Sequence, residues 1–173
     1  NERGILIALA ATAYHALSPN PSGRSLVVGH GVLGRLLARL TVIAGGEPVV
    51  WETNPVRAAG AHGYDVIHPE TDERRDYAAI TDVSGDAAIL DTLIGRLRPG
   101  GEIVLANHFG QDTGPVAKVE EIVAPLCTRI GWSSAFKSTR IEDWARRNGV
   151  EFIGVSPTFP GGFFKILRMR KAG

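Results

Sequence analysis

A single cysteine, Cys127, is all the thiol chemistry in this 173-residue chain. One cysteine excludes an internal disulfide and any cysteine-rich metal site. In a helical stretch it is most simply a small buried apolar side chain. The histidines do not repair the deficit: His15, His62 and His68 stand at no ligand spacing from another His or Cys. Charge of one sign is also lacking. A formal net charge of +1 gives no field that argues for nucleic acid or an anionic lipid surface. No apolar run reaches the roughly 18 residues of a membrane-spanning helix, so no integral membrane contact is expected. Gly4–Ala13 is apolar but short, follows Glu2 and Arg3, and has neither a basic start nor a cleavage site. It is not a signal peptide by that pattern, and a cytoplasmic location is expected. The first residue is Asn rather than Met, as expected of a fragment or a processed chain. The length suits one domain, 1–173, with a full core.

What is present is organised around residues 26–37. The apolar run Leu26-Val27-Val28 breaks into Gly29-His30-Gly31-Val32-Leu33-Gly34, and a helical pattern follows through Leu36, Leu37 and Leu40. Strand, glycine turn and helix with G-x-G-x-x-G spacing form the dinucleotide fingerprint. Gly29 permits the tight turn, Gly31 lets a pyrophosphate approach the backbone, and Gly34 lets the helix pack on the strand. The helix start offers free N–H groups and the positive end of its dipole to a diphosphate. Pro48–Glu52 reads as the next strand. An acid at its end, Glu52, is placed to accept hydrogen bonds from both ribose hydroxyls of an adenosine. The competing reading is a structural glycine turn with a solvated glutamate.

Along the rest of the chain, residues 2–17 pattern as a helix through Ile5, Leu6, Leu9 and Ala13. Asn54-Pro55 reads as a cap and first helical proline, opening a helix through about 61. Strands are expected at Tyr64–Ile67, Tyr77–Val83 and Glu102–Ala106, with an amphipathic helix over Asp86–Leu97. Residues 69–76 are a charged loop or single turn. Nearly all-apolar strands alternating with helices mean a parallel sheet covered on both faces. After residue 107 the rhythm changes. Helices are expected at Pro115–Ile130 and Arg140–Asn148, then strands at Val150–Ser156 and Phe163–Met169 with no room for a helix between them. The last two strands are therefore antiparallel neighbours. The expected fold is a Rossmann-like three-layer α/β sandwich: a mostly parallel seven-stranded sheet, order 3-2-1-4-5-7-6, strand 7 antiparallel.

Several segments carry a resemblance. L-I-A-L-A-A-T-A-Y-H-A-L (6–17), V-V-G-H-G-V-L-G-R-L-L-A-R-L (27–40), W-E-T-N-P (51–55), R-R-D-Y (74–77) and D-V-S-G-D (82–86) resemble the cofactor half of medium-chain dehydrogenases, within them the bacteriochlorophyllide dehydrogenases. That resemblance implies NAD(P) at Gly29, Gly31, Leu33 and Gly34. Glu52 favours NAD, and Arg57 is the one hint of the phosphorylated form. N-H-F-G-Q-D-T-G-P-V (107–116), A-P-L-C-T-R-I-G-W (124–132) and G-F-F-K-I-L-R-M-R-K-A-G (162–173) instead resemble bacterial phosphatidylethanolamine N-methyltransferases. Methyltransferases of that kind usually have an acid two residues before the first glycine, where this chain has Val27. The switch falls at R-P-G-G-E-I-V-L (98–105), dividing a dehydrogenase-like part, 1–105, from a methyltransferase-like part, 106–173. The expectation is an engineered hybrid of two Rossmann-like proteins.

The barrel-like domain in which medium-chain dehydrogenases carry most catalytic groups has no counterpart here, so half of the wall against a nicotinamide is lacking. The main expectation is an NAD-binding domain without turnover. The alternatives are an S-adenosylmethionine-dependent lipid N-methyltransferase and a dehydrogenase fragment with residual activity. The expected cofactor-binding residues are Gly29, His30, Gly31, Val32, Leu33, Gly34, Glu52, Thr53, Asp82 and Ser84; no catalytic or metal residue is assigned. Asp82 and Ser84 serve equally well as turn and cap residues. His30 is expected to matter through its backbone. His108 is a general-base candidate or a structural loop residue. Trp132, Phe136, Phe163 and Phe164 read as core, and Arg168, Arg170 and Lys171 as a solvated strand end rather than a lipid contact. The apolar helix Gly4–Ala13 is expected to pair in a homodimer.

Overall fold

The computed structural model describes residues 2–17, 23–107, 138–158 and 165–173. The expected helix 115–130, the turn from 159 to 162, and Cys127, His108, Trp132, Phe136, Phe163 and Phe164 lie outside them. Strand β1 (Arg24–Val28) lies near the middle of the sheet. It pairs in parallel with β2 (Glu47–Trp51) on one side and β4 (Tyr77–Asp82) on the other. Beyond β2 lies the short β3 (Asp65–Ile67), and beyond β4 lies β5 (Leu97–Asn107), both parallel. Then β7 (Lys165–Lys171) runs antiparallel to β5 and to the edge strand β6 (Val150–Pro157). The order is β3-β2-β1-β4-β5-β7-β6, as the strand–helix rhythm and the short final connection require.

Side chains alternate across the strands, so each strand feeds two cores. Leu26, Val28, Ile103, Leu105, Leu167 and Met169 point to one face, where α4 (Leu90–Arg96) and α5 (Ser138–Arg147) cover them with Leu90, Leu93, Ile141 and Ala145. Val27, Val50, Val104, Ala106 and Ile166 point to the other, under α1 (Glu2–Ala16) and α2 (Val32–Ile43). The apolar strands of the sequence are thus two-faced strands, each residue buried on alternate sides.

Some elements differ from the sequence pattern. Helix α3 (Pro55–Ala58) has the expected cap, with Val56 N–H donating to Asn54 Oδ1 at 3.0 Å, but it stops after one turn at an extended Ala59. The amphipathic segment after Asp86 splits into a 3-10 turn, Ala87–Ile89, and α4, and its last expected residue, Leu97, already belongs to β5. Leu97 pairs with Tyr77 before the register shifts and Glu102 pairs with Ala79, so the Pro99-Gly100-Gly101 turn is an interruption within β5.

Helix α1 is docked rather than adrift. Ala13 and Ala16 are fully buried against α2 and the sheet, while Leu6, Ile7 and Tyr14 remain exposed. Its last carbonyls, those of His15 and Leu17, accept from the Arg168 guanidinium at 2.7 and 3.0 Å. The same side chain bonds Glu102 at 2.8 Å. Lys171 likewise donates to the carbonyls of Ile94 and Leu97 at the end of α4. Arg168 and Lys171 are therefore structural clasps and not the solvated strand end that a basic tail suggests.

Candidate functional site

The glycine turn leaves β1 through Gly29, whose φ of +102° lies in the left-handed region. Any Cβ there would also press on the Ser84 backbone at 3.2 Å. Gly34 is demanded by space: its Cβ would lie 1.8 Å from the Gly29 carbonyl oxygen. Gly31 is different, because nothing lies within 4 Å of the position its Cβ would take. It is the N-cap of α2, with the first helical bond running from Arg35 N–H to its carbonyl at 2.9 Å. The turn therefore packs tightly beneath and stays open above, at the positive end of a helix.

That open side belongs to a cleft of about 300 Å³ at the carboxyl ends of β1, β2 and β4. This is the position where open α/β sheets hold ligands, and the size lies at the lower end for a small-molecule site. Of the residues expected from sequence, Gly29, Gly31, Glu52, Thr53 and Ser84 line it. The others do not line it. His30 and Gly34 are buried, Leu33 packs against the core, Asp82 lies under Ser84, and Val32 is exposed beside the turn. Val28, Trp51, Arg57, Pro69, Val83, Asp86 and Ile89 complete the lining. Trp51 and Asp86 fall in the W-E-T-N-P and D-V-S-G-D segments, while Pro69 and Ile89 are marked only by their place beyond β3 and β4.

Glu52 is held from below. Its Oε2 accepts from His30 N–H at 3.0 Å and its Oε1 from Asn54 N–H at 2.8 Å. Burial alone would raise its pKa, but these amide bonds and the nearby Arg57 charge outweigh it and hold the carboxyl below the ordinary range. It is thus an ionised acceptor at neutral pH, fixed at the mouth of the cleft.

His30 departs from its expected role. Its imidazole is fully buried and bridges two elements. Nδ1 lies 2.6 Å from the Arg57 carbonyl, and Nε2 lies 2.8 Å from the Tyr64 hydroxyl. A carbonyl only accepts, so in the neutral ring Nδ1 carries the proton and Nε2 accepts from Tyr64. Arg35 adds bonds to the carbonyls of His30 and Arg57, at 3.2 and 2.8 Å. The ring therefore matters as much as the backbone: it ties α3, and with it Arg57, to the glycine turn.

The Trp51 wall is fixed by a buried carboxylate. Asp72 Oδ2 accepts from Trp51 Nε1 at 2.7 Å and from the Tyr77 hydroxyl at 2.8 Å. Arg96 lies over the Trp51 ring at 5.3 Å and donates to the carbonyls of Asp72 and Arg74. Burial pushes Asp72 up, but the bonds from Arg74 N–H, Tyr77 and Trp51, with the Arg96 charge, bring it below its ordinary value. Burial and the Asp72 bond raise Tyr77, so it stays a neutral donor. Among the described residues no cluster of three or more His, Cys, Asp or Glu could hold a metal. No described helix is long and apolar enough to cross a membrane.

No family model matches the chain. Two kinds of curated relative do. A 2-desacetyl-2-hydroxyethyl bacteriochlorophyllide A dehydrogenase of Rhodobacter capsulatus is 58% identical over 108 residues, 61% of this chain and 34% of that protein. A counterpart from Cereibacter sphaeroides is 60% identical over 116 residues, 66% of this chain and 36% of that protein. A phosphatidylethanolamine N-methyltransferase of Cereibacter sphaeroides is 39% identical over 74 residues, 43% of this chain and 35% of that protein. The chain thus spans about a third of the length of the curated relatives it matches, and its two-part resemblance stands. Several solved methyltransferases match over nearly the whole chain. The mitomycin 7-O-methyltransferase MmcR has a TM-score of 0.72 at 14% identity, over 97% of this chain and 54% of that one. Human N-acetylserotonin methyltransferase, solved with SAM, has a TM-score of 0.65 at 13% identity, over 98% and 53%. The architecture is Rossmann-like, the fold that these methyltransferase structures share.

Proposed function

We propose that the cleft binds the adenosine end of a nucleoside cofactor, with the ribose diol on Glu52. The observation that carries this is the Glu52 carboxylate, fixed by two backbone N–H groups at the end of β2, with the open face of Gly31 beside it. Each carboxylate oxygen retains acceptor capacity for one ribose hydroxyl. Gly29, Gly31, Thr53 and Ser84 line the ligand, while His30, Val32, Leu33, Gly34 and Asp82 support it. The chain joins a dehydrogenase-like part, 1–105, to a methyltransferase-like part, 106–173, in one sheet. We take it as a cofactor-binding domain; each part matches about a third of its relative.

Two cofactors carry that adenosine. S-adenosylmethionine is favoured by a sheet that ends in an antiparallel hairpin and by the methyltransferase structures that match nearly the whole chain. NAD(H) is favoured by the G-x-G-x-x-G turn, by the room over Gly31, and by Val27 standing where methyltransferases usually carry an acid. Calorimetric titration with S-adenosylmethionine, NADH and NADPH separates them. At least one of the first two should bind, and more tightly than NADPH, whose 2′-phosphate meets the Glu52 charge. Glu52→Gln should weaken that ligand about tenfold or more, because charge-assisted bonds contribute about 1.5–3 kcal/mol. Gly31→Ala should fold normally and block a pyrophosphate. Heat from none of the three ligands, or affinity indifferent to Glu52→Gln, would end the adenosine reading.

A further inference from the structure

Asp82 ends β4 directly beneath the cleft and is only 3% exposed. Its Oδ1 accepts twice from one residue, from Ser84 N–H at 2.9 Å and from the Ser84 hydroxyl at 2.6 Å. Ser84 Oγ in turn accepts from Asp86 N–H at 3.1 Å, and Ser84 and Asp86 both line the cleft. A hydroxyl has one proton and two lone pairs. Here the proton goes to Asp82 and one lone pair to Asp86, which leaves one lone pair for the cleft.

Protonating Asp82 reverses this arrangement. The new carboxyl O–H donates to Ser84 Oγ, both lone pairs are then taken, and the serine proton turns outward. We propose that Asp82 sets the hydrogen-bond polarity of Ser84, making its hydroxyl an acceptor for a ligand hydroxyl or amine when Asp82 is ionised and a donor when Asp82 is protonated. As a statement about the ligand, this rests on the adenosyl-cofactor reading. No bond other than O–H is made or broken, and the one proton comes from solvent.

The surroundings suit such a switch. Burial pushes Asp82 up to about 6; the two Ser84 bonds oppose the rise, and the Asp86 charge adds to it. On either side, β1 from Ser25 to Val28 and β5 from Ile103 to Asn107 bring only apolar or neutral side chains. The glycine turn brings His30, whose ring is taken up by Arg57 and Tyr64. Glu52 and Arg57 line the same cleft.

The experiment is calorimetric titration of S-adenosylmethionine and NADH between about pH 5 and pH 8, on the parent chain, Asp82→Asn and Ser84→Ala. It is paired with carboxyl-carbon NMR of Asp82 without ligand. One neutral hydrogen bond is at stake, so affinity should fall about three- to tenfold towards acid pH, with the midpoint of the Asp82 titration. Asp82→Asn and Ser84→Ala should each abolish that dependence. A flat parent profile, or a dependence that survives Asp82→Asn, would overturn the proposal while leaving the adenosine reading intact. If neither ligand binds, the adenosine reading fails and the NMR decides the switch. Losing the serine hydroxyl in Ser84→Ala should move the Asp82 midpoint upward, and an unmoved midpoint would refute the pairing.

Discussion

The buried Asp82 carboxylate should cost this fold stability at neutral pH, and Asp82→Asn should recover it. The folded state binds the Asp82 proton more tightly than the unfolded chain, with a pKa of about 6 against an ordinary 3.8. Between those values the unfolded chain has already ionised while the folded one has not. Stability therefore falls as pH rises through this window, and the loss is complete above about pH 6. Each tenfold change in proton affinity is about 1.4 kcal/mol, so the full loss is about 3 kcal/mol. Asparagine keeps an oxygen that accepts from Ser84 and cannot ionise. The variant should thus gain up to about 3 kcal/mol at pH 7.5 and nothing near pH 4, a rise of about 5–10 °C in Tm for a chain of this length. Urea unfolding at the two pH values measures it. A variant less stable than the parent at pH 7.5, or a gain equal at both pH values, would refute the reasoning.

Gly34→Ala should cost about 2–3 kcal/mol or more, because its methyl group meets the Gly29 carbonyl at 1.8 Å, whereas Gly31→Ala should stay within about 0.5 kcal/mol of the parent. Equal urea midpoints for the two variants would contradict the packing account. Arg168→Ala should lose about 2 kcal/mol, since charged hydrogen bonds to Glu102 and to the carbonyls of His15 and Leu17 go together. Hydrogen exchange should accelerate in α1 and leave β1 and β4 protected; unchanged α1 amides would show that the clasp contributes nothing.

Much of the frame was legible because it obeys local rules. A run such as Leu26–Val28 ending in glycines can only be a buried strand entering a turn, and the connection between β6 and β7 is too short for a crossover, which forces them antiparallel. Glu52 was readable as a cleft acid from its place after β2. What the sequence hid was long-range. Nothing local says that the His30 ring is buried against Tyr64, 34 residues on, or that Asp82 lies behind Ser84 rather than beside it. The clasp of Arg168 on α1 spans about 150 positions and resembles, in sequence, any basic strand end. Helix α3 stopped early because Ala59 turns extended and Gly60 takes a φ of +84°, which overrode a good cap.

The final strand of the chain does not sit at the rim of the sheet; β7 is threaded between β5 and β6. During synthesis β5 emerges more than fifty residues before its neighbour, carrying Ile103, Val104, Leu105 and Ala106 on an edge with nothing to bond. The nascent chain must hold that edge open until Lys165–Lys171 has emerged. Completion of the sheet thus waits on this one strand, and a chain that stops before it presents an unsealed edge to aggregation.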